Sequence, residues 1–180
     1  MDKMFYSLLD QEPLSGFGAL YQGAMVTEEI WSLPGPLFIV TMNKESADIV
    51  WVKRQISKEE GRDCSKIQGV LHVGIADMEN AVLPDEVFLA LIEAGYAMLS
   101  RGINLYVHCQ QGISRSSYYT VGLYMRMGMS FQEAIRHVAS RRKGAFPNWG
   151  FYDHLARLYK EGRFQCSTHS DEKAVGILSP

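Results

Sequence analysis

Cys109, Gly112, Arg115 and Ser116 fall in one short stretch, Cys109-Gln110-Gln111-Gly112-Ile113-Ser114-Arg115-Ser116. A thiol, a glycine-bearing turn and an arginine at a helix start together describe an anion site that carries its own nucleophile. Backbone N–H groups in such a turn point inward, and the helix N-terminus adds partial positive charge. Arg115 would offer phosphate oxygens a planar, bidentate cation. The same field lowers the pKa of a neighbouring thiol, so Cys109 is expected to be largely thiolate at neutral pH. An isolated cysteine is often only a small buried hydrophobe, and a glycine turn before a helix is common punctuation. The combination carries the reading, not any one of its members.

The elements that must hold this loop can be read around it. Leu105, Tyr106 and Val107 form a short apolar run ahead of it, the pattern of a buried strand. Behind it, Val121, Leu123, Tyr124 and Met127 mark the partly buried face of a helix. Further strands are predicted at Ala19–Val26, Leu37–Met42 and Gly69–Ile75. Thr27, Glu28 and Glu29 suggest a short helix stopped by Pro34 and Pro36, and Met4–Leu9 a possible helical turn. Asn43 would cap a segment through Ala47, Ile49, Val50 and Val52, followed by a charged surface loop over Lys58–Lys66. After the loop Ala76–Leu83, Pro84, Asp85 and Glu86 suit the first turn of a long helix. Its expected buried stripe is Val87, Phe88, Leu91, Ile92, Gly95, Met98 and Leu99, and Gly102 ends it. Ser130 and Glu133 form a capping box for a helix carrying Phe131, Ala134, Ile135 and Val138, and Asn148 caps a last helix with Phe151, Leu155, Leu158 and Tyr159 inward.

Strands alternating with helices predict an α/β fold: one domain with a central, mostly parallel sheet of about four to five strands, flanked by helices, and the cysteine loop at the carboxyl edge of its strands. The expected organisation is an arm over residues 1–17, a domain over 18–162 and a flexible tail over 163–180.

A chain of 180 residues with 47% hydrophobic and 21% charged residues has the composition of a globular domain with a proper core. A net charge of −2 argues against a broad nucleic-acid or acidic-membrane surface. No apolar run is long enough to span a bilayer, and no secretory signal pattern opens the chain. Cys64, Cys109 and Cys166 are too few and scattered for a disulfide scaffold, and no Cys/His spacing matches a zinc site. Cys64 or Cys166 could resolve an oxidised Cys109, although both are better read as incidental. A working thiolate favours a reducing, cytoplasmic setting.

His108-Cys109-x-x-Gly112-x-Ser114-Arg115-Ser116 resembles the signature of cysteine-dependent protein phosphatases, in the form typical of the dual-specificity branch. The likeness extends from Leu20-Tyr21-x-Gly23 to Tyr159 and includes the stretch Arg142…Pro147-Asn148-x-Gly150-Phe151. The resemblance implies hydrolysis of phosphotyrosine and phosphoserine or phosphothreonine monoesters through a cysteinyl-phosphate. It implies a phosphorylated protein as substrate and partner, with no cofactor and no metal. The loop residues Gln110, Gln111, Gly112, Ile113, Ser114 and Arg115 would bind the phosphate. His108 would be a structural histidine bonded within the loop.

Expelling an alkoxide or phenoxide requires a proton donor. The resemblance places an aspartate on an upstream loop, where Asp77, Glu79 and Asp85 stand. Asp77 directly follows a strand expected beside the signature strand, and loops at the carboxyl ends of parallel strands share one crevice. Asp85 is better explained by helix N-terminal charge, and Glu79 as solvated loop. Ser116 is placed to hydrogen-bond the Cys109 sulfur, or else only to satisfy its helix end. Ser114 is a capping or loop-bracing candidate. For Asn148, capping its own helix is favoured over bonding the signature loop. Arg141-Arg142-Lys143 would meet a second phosphate or, more simply, offset a helix dipole. His72, His137 and His154 are read as structural or surface residues. The uncharged positions Gln110, Gln111 and Ile113 favour a monophosphorylated substrate over a phosphoinositide. An RNA 5′-phosphatase or lipid phosphatase, a non-catalytic phosphate-binding module, and a rhodanese or arsenate reductase with a similar cysteine loop are the rival readings, and the oligomeric state is open.

Overall fold

In a computed structural model, which describes residues 6–8, 16–26, 28–44 and 64–164, the five described strands form one sheet. They are β1 (Tyr6–Leu8), β2 (Leu20–Gly23), β3 (Leu37–Thr41), β4 (Ile67–His72) and β5 (Asn104–His108), in the order β1-β2-β5-β3-β4. The pairs β2/β5, β5/β3 and β3/β4 are parallel, and β1 joins β2 antiparallel. The mostly parallel α/β sheet expected from the alternation of elements is therefore present. Strand β5 is central and buried at all five positions, as a parallel strand covered on both faces requires.

The helices are α1 (Asp85–Leu99), α2 (Arg115–Arg126), α3 (Phe131–Arg141) and α4 (Trp149–Lys160). Side-chain alternation on the sheet splits the core in two. Val40, Leu105 and Val107 pack with Phe88, Ile92, Tyr118, Leu123, Phe151 and Leu155 of the helices. Tyr21, Leu37, Ile39 and Tyr106 face the other way, onto Ile30 and Leu33. Helix α2 is buried from Arg115 through Met125, so the helix leaving the cysteine loop is the axle of the helical layer. No helix among the described residues is long and apolar enough to cross a membrane.

Several boundaries differ from the sequence reading. The expected turn of helix near Met4–Leu9 contains strand β1 instead, paired through Tyr6 to Gly23. Glu28–Ser32 is a 3-10 segment rather than an α-helix, because Pro34 and Pro36 leave no room for a full i→i−4 ladder. Strand β2 ends at Gly23 because its partner β5 ends at His108. In the same way β4 runs over Ile67–His72 rather than Gly69–Ile75, in register with β3 through Thr41 and His72. On α1 the buried stripe is Phe88, Ile92, Gly95 and Leu99. Val87 faces solvent, since it lies about 100° around the helix from Phe88. The capping box of Ser130 and Glu133 is present. Arg163 bonds Glu86 and Phe164 is buried against Phe88, so the packed chain passes Gly162. The helix expected after Asn43 through Val52, most of the Lys58–Lys66 loop and the tail from residue 165 lie outside the described residues.

Candidate active site

Cys109 follows β5 directly, at the carboxyl edge of the sheet and beneath the N-terminus of α2. Its side chain is buried. Gly112 donates its backbone N–H to Cys109 Sγ at 3.3 Å, and Ser116 Oγ lies 3.5 Å from the same sulfur. Burial, the largest single influence, pushes the thiol pKa up. Hydrogen bonds from the Ser116 hydroxyl and from the backbone of Ser116, Ile113 and Gln111 outweigh it and hold the thiol below its ordinary value. The loop therefore stabilises a negative sulfur with donors directed at one point.

The loop closes tightly because Gly112 has φ +69°, and a Cβ there would meet the Gly23 carbonyl oxygen at 2.3 Å. Only glycine fits both the left-handed turn and that approach. Two residues outside the signature brace it. Arg142 donates from Nε to the Gly112 carbonyl at 2.7 Å and from Nη2 to the Gln111 carbonyl at 3.2 Å. Gln22, buried on β2, donates to the Gly112 carbonyl at 3.1 Å and to Ser117 Oγ at 2.9 Å, while its own oxygen accepts from Thr120. Arg142 thus serves the loop's carbonyls, a use that neither sequence reading of the basic cluster named. Gln22 did carry a signal: it is a polar side chain inside the apolar strand Leu20–Gly23.

His108 lies on the Tyr106 face of β5, buried and stacked on Tyr106 with its Nε2 2.8 Å from Thr41 Oγ1. Burial drops its pKa to about 3, against a hydrogen bond with the Cys109 backbone that raises it. The imidazole is neutral and held between β3 and the Cys109 backbone.

Arg115 opens α2 and is buried, its Nη1 donating to the Ile75 carbonyl at 3.3 Å. Asp77 comes from the loop after β4, and its Oδ2 lies 3.7 Å from Arg115 Nε. Asp77 Oδ1 accepts from Ser114 Oγ at 2.7 Å and from Asn148 Nδ2 at 3.0 Å. The structure thus brings Asp77 to the cysteine loop, which Asp85 and Glu79 do not reach by any such bond among the described residues. Ser114 makes no side-chain cap; its hydroxyl bridges Asp77 and the Asn148 backbone N–H, 3.1 Å away. Asn148 accepts from the Phe151 N–H and so caps α4, yet its amide also holds Asp77. Capping alone understates it.

Helix α4 grips the acid loop at a second point. A Cβ on Gly150 would sit 1.7 Å from the Glu79 carbonyl oxygen, so loop and helix backbones are in direct contact. Farther along α4, His154 Nε2 is 2.9 Å from Asp85 Oδ1, and Arg157 holds both Asp85 oxygens. Those bonds, Arg157 first and His154 second, keep the Asp85 carboxyl well below the usual range. Asp85 is therefore an anchor for α4 and not only a dipole partner, and His154 joins it to the buried Tyr118 hydroxyl. No group of three His, Cys, Asp or Glu residues poised to hold a metal occurs among the described residues.

With this geometry in place, comparison with known proteins is decisive at the family level. Residues 51–161 match the family described as dual specificity phosphatase, catalytic domain. The chain belongs to the dual specificity phosphatase family. Members are phosphoric monoester hydrolases, and the matched residues include the Cys109 loop. Mouse dual specificity protein phosphatase 8 is 33% identical over 75 residues, 41% of this chain and 11% of that protein. The chain thus spans about a tenth of that curated relative's length. Among solved structures, human DUSP28 superposes with a TM-score of 0.62 at 20% identity, covering 90% of this chain and 97% of that one. PTPMT1, solved in complex with PI(5)P, gives a TM-score of 0.61 at 18% identity over 87% of this chain and 96% of its own. At such identities these two share the fold.

Proposed function

We propose that the chain is a protein phosphatase hydrolysing phosphotyrosine and phosphoserine or phosphothreonine monoesters through a cysteinyl-phosphate. The observation that carries this reading is the convergence on one sulfur of the Gly112 N–H, the Ser116 hydroxyl and the N-terminus of α2, with Arg115 and Asp77 in contact beside it.

In the first step the Cys109 thiolate attacks phosphorus and the bond from phosphorus to the ester oxygen breaks. Arg115 and the loop N–H groups of residues 110–115 hold the non-bridging oxygens. Asp77 gives its proton to the departing oxygen. Its Oδ1 accepts from Ser114 and Asn148 and its Oδ2 faces Arg115 Nε at 3.7 Å, so three side chains set the direction of the carboxyl. In the second step water attacks phosphorus, Asp77 takes the water proton, and the sulfur–phosphorus bond breaks. Ser116 then stabilises the thiolate that leaves, and inorganic phosphate departs. No step requires a metal or a cofactor. A persistent thiolate favours reducing, cytosolic surroundings for this chemistry.

A phosphoinositide substrate is the second reading, since the neighbour PTPMT1 is seen with PI(5)P. In this chain the loop side chains Gln110, Gln111 and Ile113 offer no charge to further phosphates, and Arg142 is engaged with carbonyls. That favours a protein monoester. Asp77→Asn tests the assignment: it should slow hydrolysis of esters with poor leaving groups by about 10²-fold or more and affect good leaving groups less. A rate within about twofold of the parent on a poor leaving group would remove Asp77 from the mechanism.

A further inference from the structure

Seven large hydrophobic side chains are exposed among the described residues: Met25, Met78, Val82, Val87, Phe146, Trp149 and Tyr159. Four of them lie beside the cysteine loop in the fold, two bonded to it by their own backbone N–H and two directly following a residue bonded to Ser114. The N–H of Met25 donates to the Gln110 carbonyl at 3.4 Å, and that of Phe146 to the Ile113 carbonyl at 3.2 Å. Met78 follows Asp77, and Trp149 follows Asn148, whose N–H donates to Ser114. Scattered exposed hydrophobics need no explanation, but four set beside one anion-binding loop do.

The rim is also built to stay in place. Phe146 and Trp149 contact each other with ring centroids 5.7 Å apart, and both contact Tyr152. Tyr152 in turn packs on the buried Phe131. An exposed Trp, 61% accessible, is thereby backed by an aromatic stack that reaches the core, which lowers the entropy lost on contact with a ligand. The charge beside it on the acid loop is negative, with Asp77 and Glu79 flanking Met78, all exposed.

We infer that Met25, Met78, Phe146 and Trp149 select substrates, taking the large apolar or aromatic residues that flank the phosphorylated residue of a phosphopeptide. The inference rests on the proposed phosphatase reading for the phosphate at the centre, and it adds the chemistry of the flanks. The occupant is a peptide because the rim is continuous with a loop equipped for one phosphate. Acidic flanks are disfavoured by the exposed Glu79 carboxylate beside Met78.

The test uses the full chain with Cys109→Ser, so that binding is read without turnover. Three phosphotyrosine peptides of equal length are titrated calorimetrically, with flanks of Leu and Phe, of Gly and Ser, or of Asp and Glu. The apolar peptide should bind about tenfold more tightly than the Gly/Ser peptide, and the acidic one no more tightly than Gly/Ser. Adding Trp149→Ala, or separately Met78→Ser, should bring the apolar-to-Gly/Ser ratio toward one. Equal affinities, tightest binding of the acidic peptide, or no peptide binding would overturn the inference. So would a flat peptide series beside tight binding of phosphatidylcholine vesicles carrying a monophosphorylated phosphoinositide, which would assign the rim to lipid. Turnover of an aryl phosphate by the parent chain is measured in parallel. If that fails while the peptide series still discriminates, the catalytic reading falls and the rim assignment stands.

Discussion

Asn148 Nδ2 donates to Asp77 Oδ1 at 3.0 Å while Asn148 Oδ1 accepts the Phe151 N–H at 3.0 Å. One amide therefore starts α4 and fixes the candidate proton donor, so the orientation of the carboxylate depends on the position of the last helix. The Gly150 contact with the Glu79 carbonyl and the clamp of His154 and Arg157 on Asp85 fasten the rest of the loop and the start of α1 to the same helix.

Asn148→Ala should thus do two separable things. Loss of the cap should lower stability by about 1 kcal/mol. Release of Asp77 should slow turnover about tenfold on poor leaving groups and less on good ones, which is the pattern of impaired proton donation. A melting curve and a leaving-group series measure the two effects independently. Lowered stability with an unchanged leaving-group dependence would reduce Asn148 to a cap.

Arg142 joins the Gln111 and Gly112 carbonyls, so Arg142→Ala removes the Gln111 carbonyl's side-chain donor and leaves Gly112 with Gln22 alone, at a cost of about 1–3 kcal/mol. Its kcat/KM should fall about tenfold or more on every phosphate ester, whatever the substrate's other charges. Arg142→Lys should recover only part, because an ammonium cannot reproduce two bonds from a planar fork. A loss confined to doubly phosphorylated substrates would instead make Arg142 a second phosphate site.

Hydrogen bonds to Cys109 favour the thiolate, so removing one must raise the thiol pKa. Iodoacetamide alkylation followed against pH should give the parent a midpoint below that of an ordinary thiol, about 8.5. Ser116→Ala should move the midpoint upward, because the hydroxyl is the largest of the influences that lower it. Dephosphorylation of the cysteinyl-phosphate should slow in the same variant. An alkylation profile unchanged by Ser116→Ala would deny the hydroxyl this part.

Much of this site was legible in the residues themselves. Cys109, Gly112 and Arg115 announce a loop through residue type and spacing, and the alternation of elements puts that loop at the edge of a parallel sheet. Asp77 was reachable by the same topological argument. Sequence could not show which polar residues brace the loop, because Gln22, Thr41 and Arg142 meet it across β2, β3 and the end of α3. Such pairings are set by strand order and helix packing, which leave no local pattern. The dual use of Asn148 was hidden for a related reason: a cap is a local signal and is visible in sequence, whereas a bond to Asp77 is not. The stripe on α1 was read too broadly because hydrophobic residues beyond the inward arc, such as Val87, look the same in composition.

The account stands or falls on the nucleophile. Turnover of a generic aryl phosphate with EDTA present should be readily measured for the parent chain and fall by at least about 10³-fold for Cys109→Ser, whose hydroxyl is not ionised at neutral pH. Equal rates for the two proteins, or activity abolished by the chelator, would contradict a cysteinyl-phosphate mechanism in this loop.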